Sequence, residues 1–412
     1  MGNGKGYEIV WERDYTESGG NMRVALDASG NVVVCGVHTD EDKGIVAKYD
    51  TDGNLLWSDH SLPTLYCSST VFKNHATAIP HTIAETLFKN YGYFFDVAVD
   101  SHNNIIVAGT FTEGETKSII YVKKYTAGGT TVWERTYTPY IVNLVSGIAV
   151  DENDDIILVG SGGAVVPPSM KGFVMKLSRI GGTVLWRKSR RKGIAVFYTS
   201  VATDSSNDIF ATGFTSPDEH SFDLILTKFG GRRGWRRREL IRGSRRAGMD
   251  ISLDGNGDVV IAGKAEHGEE MHYLLKCHSN FDVVWEKYEI QGFLYGVAAM
   301  PNGDIAVTGY KAPLNEYYAA IHSGNSGDTM LEMLLGERVS NRLDDYMRGV
   351  AADGDNNIFI TGARTVGKTF RVRITGTPSP PGPEPPEPPS HPPSHPPHES
   401  IIQKILRWLF GR

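Results

Sequence analysis

The chain of 412 residues has three cysteines, Cys35, Cys67 and Cys277. An odd, scattered set builds no disulfide framework and fits a reducing compartment. No apolar run reaches about 18 residues, so no helix is expected to cross a bilayer. The first residues, MGNGKGYEIVWERDY, lack an apolar core of signal-peptide length. They begin Met-Gly, but Gly6 stands where myristoylation wants Ser or Thr. Together these absences give a cytoplasmic or peripheral-membrane expectation. No G-x-S-x-G, HExxH or metal-type Cys/His spacing occurs, so the common hydrolase and zinc-enzyme signatures are missing. The net charge of −6 excludes a chain that is polycationic overall.

What the chain has in abundance is one sentence written seven times. AVDSHNNIIVAG (98–109) recurs as ALDASGNVVVCG (25–36), AVDENDDIILVG (149–160), ATDSSNDIFATG (202–213), SLDGNGDVVIAG (252–263), AAMPNGDIAVTG (298–309) and AADGDNNIFITG (351–362). The closing glycines fall 73, 51, 53, 50, 46 and 53 residues apart. A period near 50 with strand chemistry points to propeller blades. Each unit reads as four strands: a short strand A ending at the Asp, a polar turn, a β-branched strand B, an alternating strand C, and a strand D marked by Trp57, Trp133, Trp186, Trp235 or Trp285, with Leu331 in the sixth copy. The seventh unit runs out after strand C. The N-terminal YEIVWERDY, with Trp11, supplies its missing fourth strand and closes the ring, which removes open sheet edges.

The pattern D-x-x-x-N/D-[IV]-x-x-x-G and the strand-D tryptophan resemble the seven-bladed bacterial-type propeller repeat family (SBBP-like), and more loosely NHL and YncE-like propellers. The resemblance covers roughly residues 7–376 and implies a scaffold or ligand-binding role. Met300-Pro301-Asn302-Gly303 in the sixth copy departs from it.

The expected fold is therefore all-β: a seven-bladed propeller of four-stranded blades over residues 1–376, with an insertion at 61–91 capping the face of the D–A and B–C loops. A Pro-rich linker (377–398) and a C-terminal amphipathic helix (399–412) follow. Twelve of the 20 prolines lie between 378 and 397. They form a stiff spacer of about 60 Å at about 3.1 Å per residue. A helical period then places Ile401, Ile402, Ile405, Leu406, Trp408 and Leu409 on one face. That face is read as an anchor to a membrane surface or a docking protein.

Four further features compete for function. GARTVGKT (362–369) matches the phosphate-loop pattern, but FRVRIT follows as a strand, where the pattern needs a helix. The turns DGNGD (254–258) and DGDNN (353–357) look like calcium-loop fragments without the closing Glu, and read as structural turns. Asp218 and His220 of blade 4, with Glu266, His267, Glu270 and His272 of blade 5, are candidate metal or acid–base groups on the loop-rich face. Arg232, Arg233, Arg236, Arg237, Arg238 and Arg242 crowd one outer edge, where they would hold a polyanion or guard the strand against pairing.

The reading favours a non-enzymatic, monomeric binding scaffold without cofactor. It would hold a protein or glycan at the capped face and be tethered by its C-terminal helix. A propeller lyase or hydrolase with a metal/His site, and a nucleic-acid binder using the arginine rim, are the alternatives.

Overall fold

In a computed structural model the chain forms seven four-stranded antiparallel sheets. The structure describes residues 6–375 apart from 15–18, 39–42, 64–93, 114–116, 164–169, 194, 218–220, 244, 289, 313–315, 338–346 and 363–367. Most of the insertion, the linker and the C-terminal segment, with all six anchor residues, lie outside the described residues.

The blades comprise residues 19–59, 94–137, 142–190, 195–242, 246–287 and 292–337, and a seventh made of 347–374 with 7–14. Strand Tyr7–Asp14 pairs antiparallel with Lys368–Ile374, so the first strand of the chain is strand D of the last blade. The A strands of successive blades contact one another all the way round and so form the inner wall of the ring.

Seven apolar clusters hold the ring, one at each blade junction. Ile106, Ile120 and Val122 of blade 2 meet Val145, Ile156 and Phe173 of blade 3, for example. Strands B lie between two neighbouring blades, so both of their faces are covered; every residue of Ile156–Gly163 is buried. Strands D are outermost and mostly exposed, alternating in Val184–Arg190. This gradient explains why strand B reads as an apolar run while strand D carries charge.

The closing glycine of the repeat has a steric cause. A Cβ on Gly160, Gly213 or Gly309 would stand 1.9 Å from a carbonyl oxygen of the neighbouring strand A. Only hydrogen fits there. The approach is close because each A strand carries a bulge opposite this glycine, for instance between Val145 and Gly147. Bulges add local twist, which the wall of a tight ring requires.

Candidate functional site

The repeated polar residues build the ring itself. In six blades the Asp of the A–B turn accepts the amides two and four residues on; Asp100 takes His102 N at 3.0 Å and Asn104 N at 2.8 Å. Its second oxygen faces a cation from strand C. The pairs Lys48–Asp27, Lys124–Asp100 and Lys276–Asp254 each close at 2.7 Å. Lys176 lies against Asp151 at 2.5 Å, and Lys228 and Arg371 take the same place in blades 4 and 7. Burial works to raise the pKa of Asp27, Asp100 and Asp254, but the lysine and the turn amides outweigh it and hold all three below the ordinary carboxylate range. The fragments at 254–258 and 353–357 are two of these turns, so their carboxylates are already in use.

A tryptophan beside each lysine reaches into the next blade. Trp57, Trp186 and Trp285 donate their indole N–H to Ala127 O, Gly231 O and Gly324 O at 3.0–3.2 Å. Trp11 does the same to Thr51 O, across the chain closure. Each ring lies on a left-handed glycine of the next blade's C–D turn: Trp11 on Gly53, Trp57 on Gly129, Trp133 on Gly182, Trp186 on Gly234 and Trp285 on Gly327.

Two blades depart from this latch. Blade 6 replaces Asp, Lys and Trp with Met300, Ile321 and Leu331, all packed in one apolar cluster. Blade 4 departs differently. Strand register pairs Lys228 with Arg238, so Arg238, not Trp235, holds the tryptophan position. The sequence assignment of Trp235 to strand D is thereby corrected: it lies just before strand Arg236–Arg242 and is 67% exposed. The glycine that should receive a blade-4 indole is likewise exchanged. Phe281 stands there at φ +70° and sends its own ring into the junction, 6.3 Å from Phe210.

The displaced Trp235 sits at the centre of the arginine-rich edge. Lys188 of blade 3 places its ammonium 4.7 Å from the ring centroid, a cation–π distance. Arg232, Arg233, Arg236, Arg237 and Arg238 are all exposed. Some cations here are partnered, yet the partners are shared. Glu239 takes the fork of Arg190 at 2.8 Å and also Arg236 at 3.1 Å. Glu286 takes Arg242 at 2.7 Å and Arg246 at 3.1 Å. Arg237 meets Asp208, which already serves Lys228. Burial would raise the Glu239 carboxyl, but the Arg190 fork lowers it, so it stays ionised. Two cations per carboxylate leave the edge positive. Arg232, Arg233 and Arg238 have no carboxylate partner among the described residues.

The candidate metal groups are spread differently. Asp218 and His220 lie outside the described residues, as does the His267 side chain. Glu266 and Glu270 are not in a loop: they oppose each other on strands joined through Gly268. Lys264 stands between them, 3.5 Å from Glu266 and 2.6 Å from Glu270, and Arg245 adds a 2.8 Å contact to Glu266. His272 is buried; burial pushes its pKa down to about 3, so it is neutral, and its Nε2 donates to Tyr310 O at 2.8 Å. These groups face cations and a carbonyl. Among the described residues the grouping of ligand type is Asp100, His102 and Asp154. There Asp100 is bound by Lys124, and Asp154 accepts from Ser101 at 2.8 Å and lies 3.0 Å from His102 Nδ1. Lys368 lies in a strand, paired with Gly362 and in contact with Glu12.

A charged cluster that the sequence reading missed spans the middle of the ring. Arg23 of blade 1 lies 4.0 Å from Asp96 of blade 2 and 3.6 Å from Asp250 of blade 5. It also donates to Tyr295 O and Arg348 O of blades 6 and 7 at 3.2 Å. Burial pushes the Asp96 carboxyl up to about 6 despite Arg23 and the Ile148 amide. Ser200 donates to Asp250 at 2.7 Å. The signal was present: these residues share the column four before the repeat Asp. Elsewhere in that column Gly147, Gly296 and Gly349 leave room for neighbouring strands.

Among solved structures the fold is similar to quinohemoprotein alcohol dehydrogenase from Comamonas testosteroni (TM-score 0.56, 10% identity, covering 92% of this chain and 78% of that one). It is also similar to the WD40 propeller domain of Doa1 (TM-score 0.51, 13% identity, 89% and 97%). A third likeness is to an ulvan lyase of polysaccharide lyase family PL25 bound to a sulfated saccharide (TM-score 0.53, 12% identity, 88% and 96%). Likeness at such identities shows the propeller fold alone. No protein-family model and no curated protein matches the chain, so the repeat-family resemblance rests on the motif.

Proposed function

We propose that the protein is a non-enzymatic binding propeller that holds an anionic macromolecule on the outer edge of blades 3 and 4. The observation that carries this reading is the exposed Trp235, with the Lys188 ammonium over its ring, in a segment that also exposes Arg232, Arg233, Arg236, Arg237 and Arg238. The polar residues that repeat are occupied in joining blades, so binding is assigned to the place where the repeat breaks. Charged side chains guard edge strands against pairing; this edge has more cations than its carboxylates neutralise. The segment 399–412 is proposed as a tether, through its apolar face, to a membrane surface or a docking protein.

The test is salt elution of the full chain from heparin. Replacing Arg232, Arg233 and Arg238 with Gln is expected to lower the eluting salt clearly, because fewer counterions are released on binding, with the melting temperature held. Equal elution of parent and variant contradicts the reading and leaves edge protection as the role of these residues.

A further inference from the structure

We propose that the anionic partner is a single-stranded nucleic acid, one base of which stacks on Trp235 while Arg232, Arg233 and Arg238 hold its phosphates. This rests on the polyanion reading above and narrows it.

A tryptophan two-thirds in water forgoes the burial that every latch tryptophan obtains. At this junction the latch has been rebuilt without it: Arg238 holds the register position and Phe281 fills the cluster from blade 5. Trp235 therefore has no role in joining blades 4 and 5. Its backbone is nonetheless held in place, since the preceding Gly234 takes φ +63° against Trp186 and Gly230 N donates to Trp235 O at 2.9 Å. The indole is a surface ring on a hydrogen-bonded turn, with the Lys188 ammonium 4.7 Å from its centroid and two-thirds of the residue open to a planar group from solvent.

The neighbouring chemistry selects among polyanions. Arginine matches phosphate geometry and also stacks on bases. In a duplex the base faces are already stacked on one another, so an exposed indole has nothing to receive. A sulfated glycan would use the arginines but offers no aromatic face. A single strand presents both phosphates and free base faces, and stacking on protein aromatics tolerates any sequence.

The test is fluorescence anisotropy of labelled oligo(dT), a matched duplex and labelled heparin against the full chain over a salt series. Trp235→Ala is expected to weaken oligo(dT) binding about tenfold, from a typical per-base stacking contribution. It should leave both the salt slope and heparin binding unchanged. Trp235→Phe should restore most of the affinity. Replacing Arg232, Arg233 and Arg238 with Gln should lower the slope of log K against log salt by about 2, at roughly 0.7 per lost phosphate contact on a single strand. Parent-like oligo(dT) binding by Trp235→Ala, or duplex bound as tightly as single strand, overturns this inference while leaving the polyanion reading in place. No effect of the arginine replacements on any of the three ligands overturns the reading as well.

Discussion

The indole of Trp186 on blade 3 lies against Gly234 on blade 4, so close that a Cβ there would stand 2.6 Å from Trp186 Cε3. The same tryptophan–glycine contact joins four other junctions, and at the one where the tryptophan is Arg238 the glycine is Phe281. The two positions change together because each junction has room for one large ring. Gly234→Val should therefore destabilise by 2 kcal/mol or more, through both the clash and the positive φ. A thermal melt within a degree of the parent would contradict this.

The exchange at blades 4 and 5 can be run backwards. Arg238→Trp alone would add an indole where Phe281 already packs, and Phe281→Gly alone would open a cavity. Each should destabilise by about 2–4 kcal/mol. Together they rebuild the ordinary latch, so a double-mutant cycle should show a coupling of 1 kcal/mol or more in the recovering direction. Strict additivity in urea unfolding would mean that the two positions do not share one space.

Blade 6 shows that the polar latch can be replaced as a set. Lys176→Met should leave the buried Asp151 without its cation and cost about 3–5 kcal/mol. Changing Asp151, Lys176 and Trp186 together to the blade-6 residues Met, Ile and Leu should recover a large part of that loss. The check is the chemical denaturation midpoint of both variants, and a triple variant less stable than the single one would count against it.

Asp96 gives the central cluster a pH signature. Its folded pKa of about 6 lies above the unfolded value of 3.8. The native state therefore holds a proton that the unfolded state has released between these values. Stability from this group is full below pH 4 and falls as pH rises to 6, by on the order of 2–3 kcal/mol. Asp27, Asp100 and Asp254 act in the opposite sense, since their folded values are lowered and their contribution is lost in acid. The comparison to make is the parent against Asp96→Asn: the variant should gain stability at pH 7 relative to pH 4.5. Parallel stability curves would remove the raised carboxyl from the account.

The proposed tether has its own test. Lipid burial of four apolar side chains is worth about 6 kcal/mol before the cost of ordering the segment. The full chain should sediment with anionic vesicles, and Ile405→Asp should abolish that. Equal sedimentation of the two would rule out the proposed apolar face as the anchor.

Most of the ring was legible in the sequence because its geometry is written into repeated residues. The closing glycine, the Asp turn and the displaced N-terminal strand each follow from a steric or hydrogen-bonding need met in blade after blade. Trp235 was misplaced because residue type was matched without counting. Trp57, Trp133, Trp186 and Trp285 follow the last residue of strand C by 8 or 9 positions, whereas Trp235 follows Phe229 by 6 and Arg238 by 9. The Arg23–Asp96–Asp250 cluster was missed for another reason. Its members share a column of the repeat but not a residue type, and only closure of the ring brings blades 1, 2 and 5 together. Glu266 and Glu270 read as free loop acids because the strands run further than the turn chemistry suggested, which places Lys264 between them.

The central claim is that an anionic partner occupies the edge of blades 3 and 4. Hydroxyl-radical footprinting of the full chain, with and without saturating heparin, tests it most directly. The account predicts strong protection of Trp235 and of the segment 232–238, with the latch tryptophans Trp57 and Trp285 unchanged. Protection elsewhere on the ring, with Trp235 as reactive as in the free protein, would contradict it.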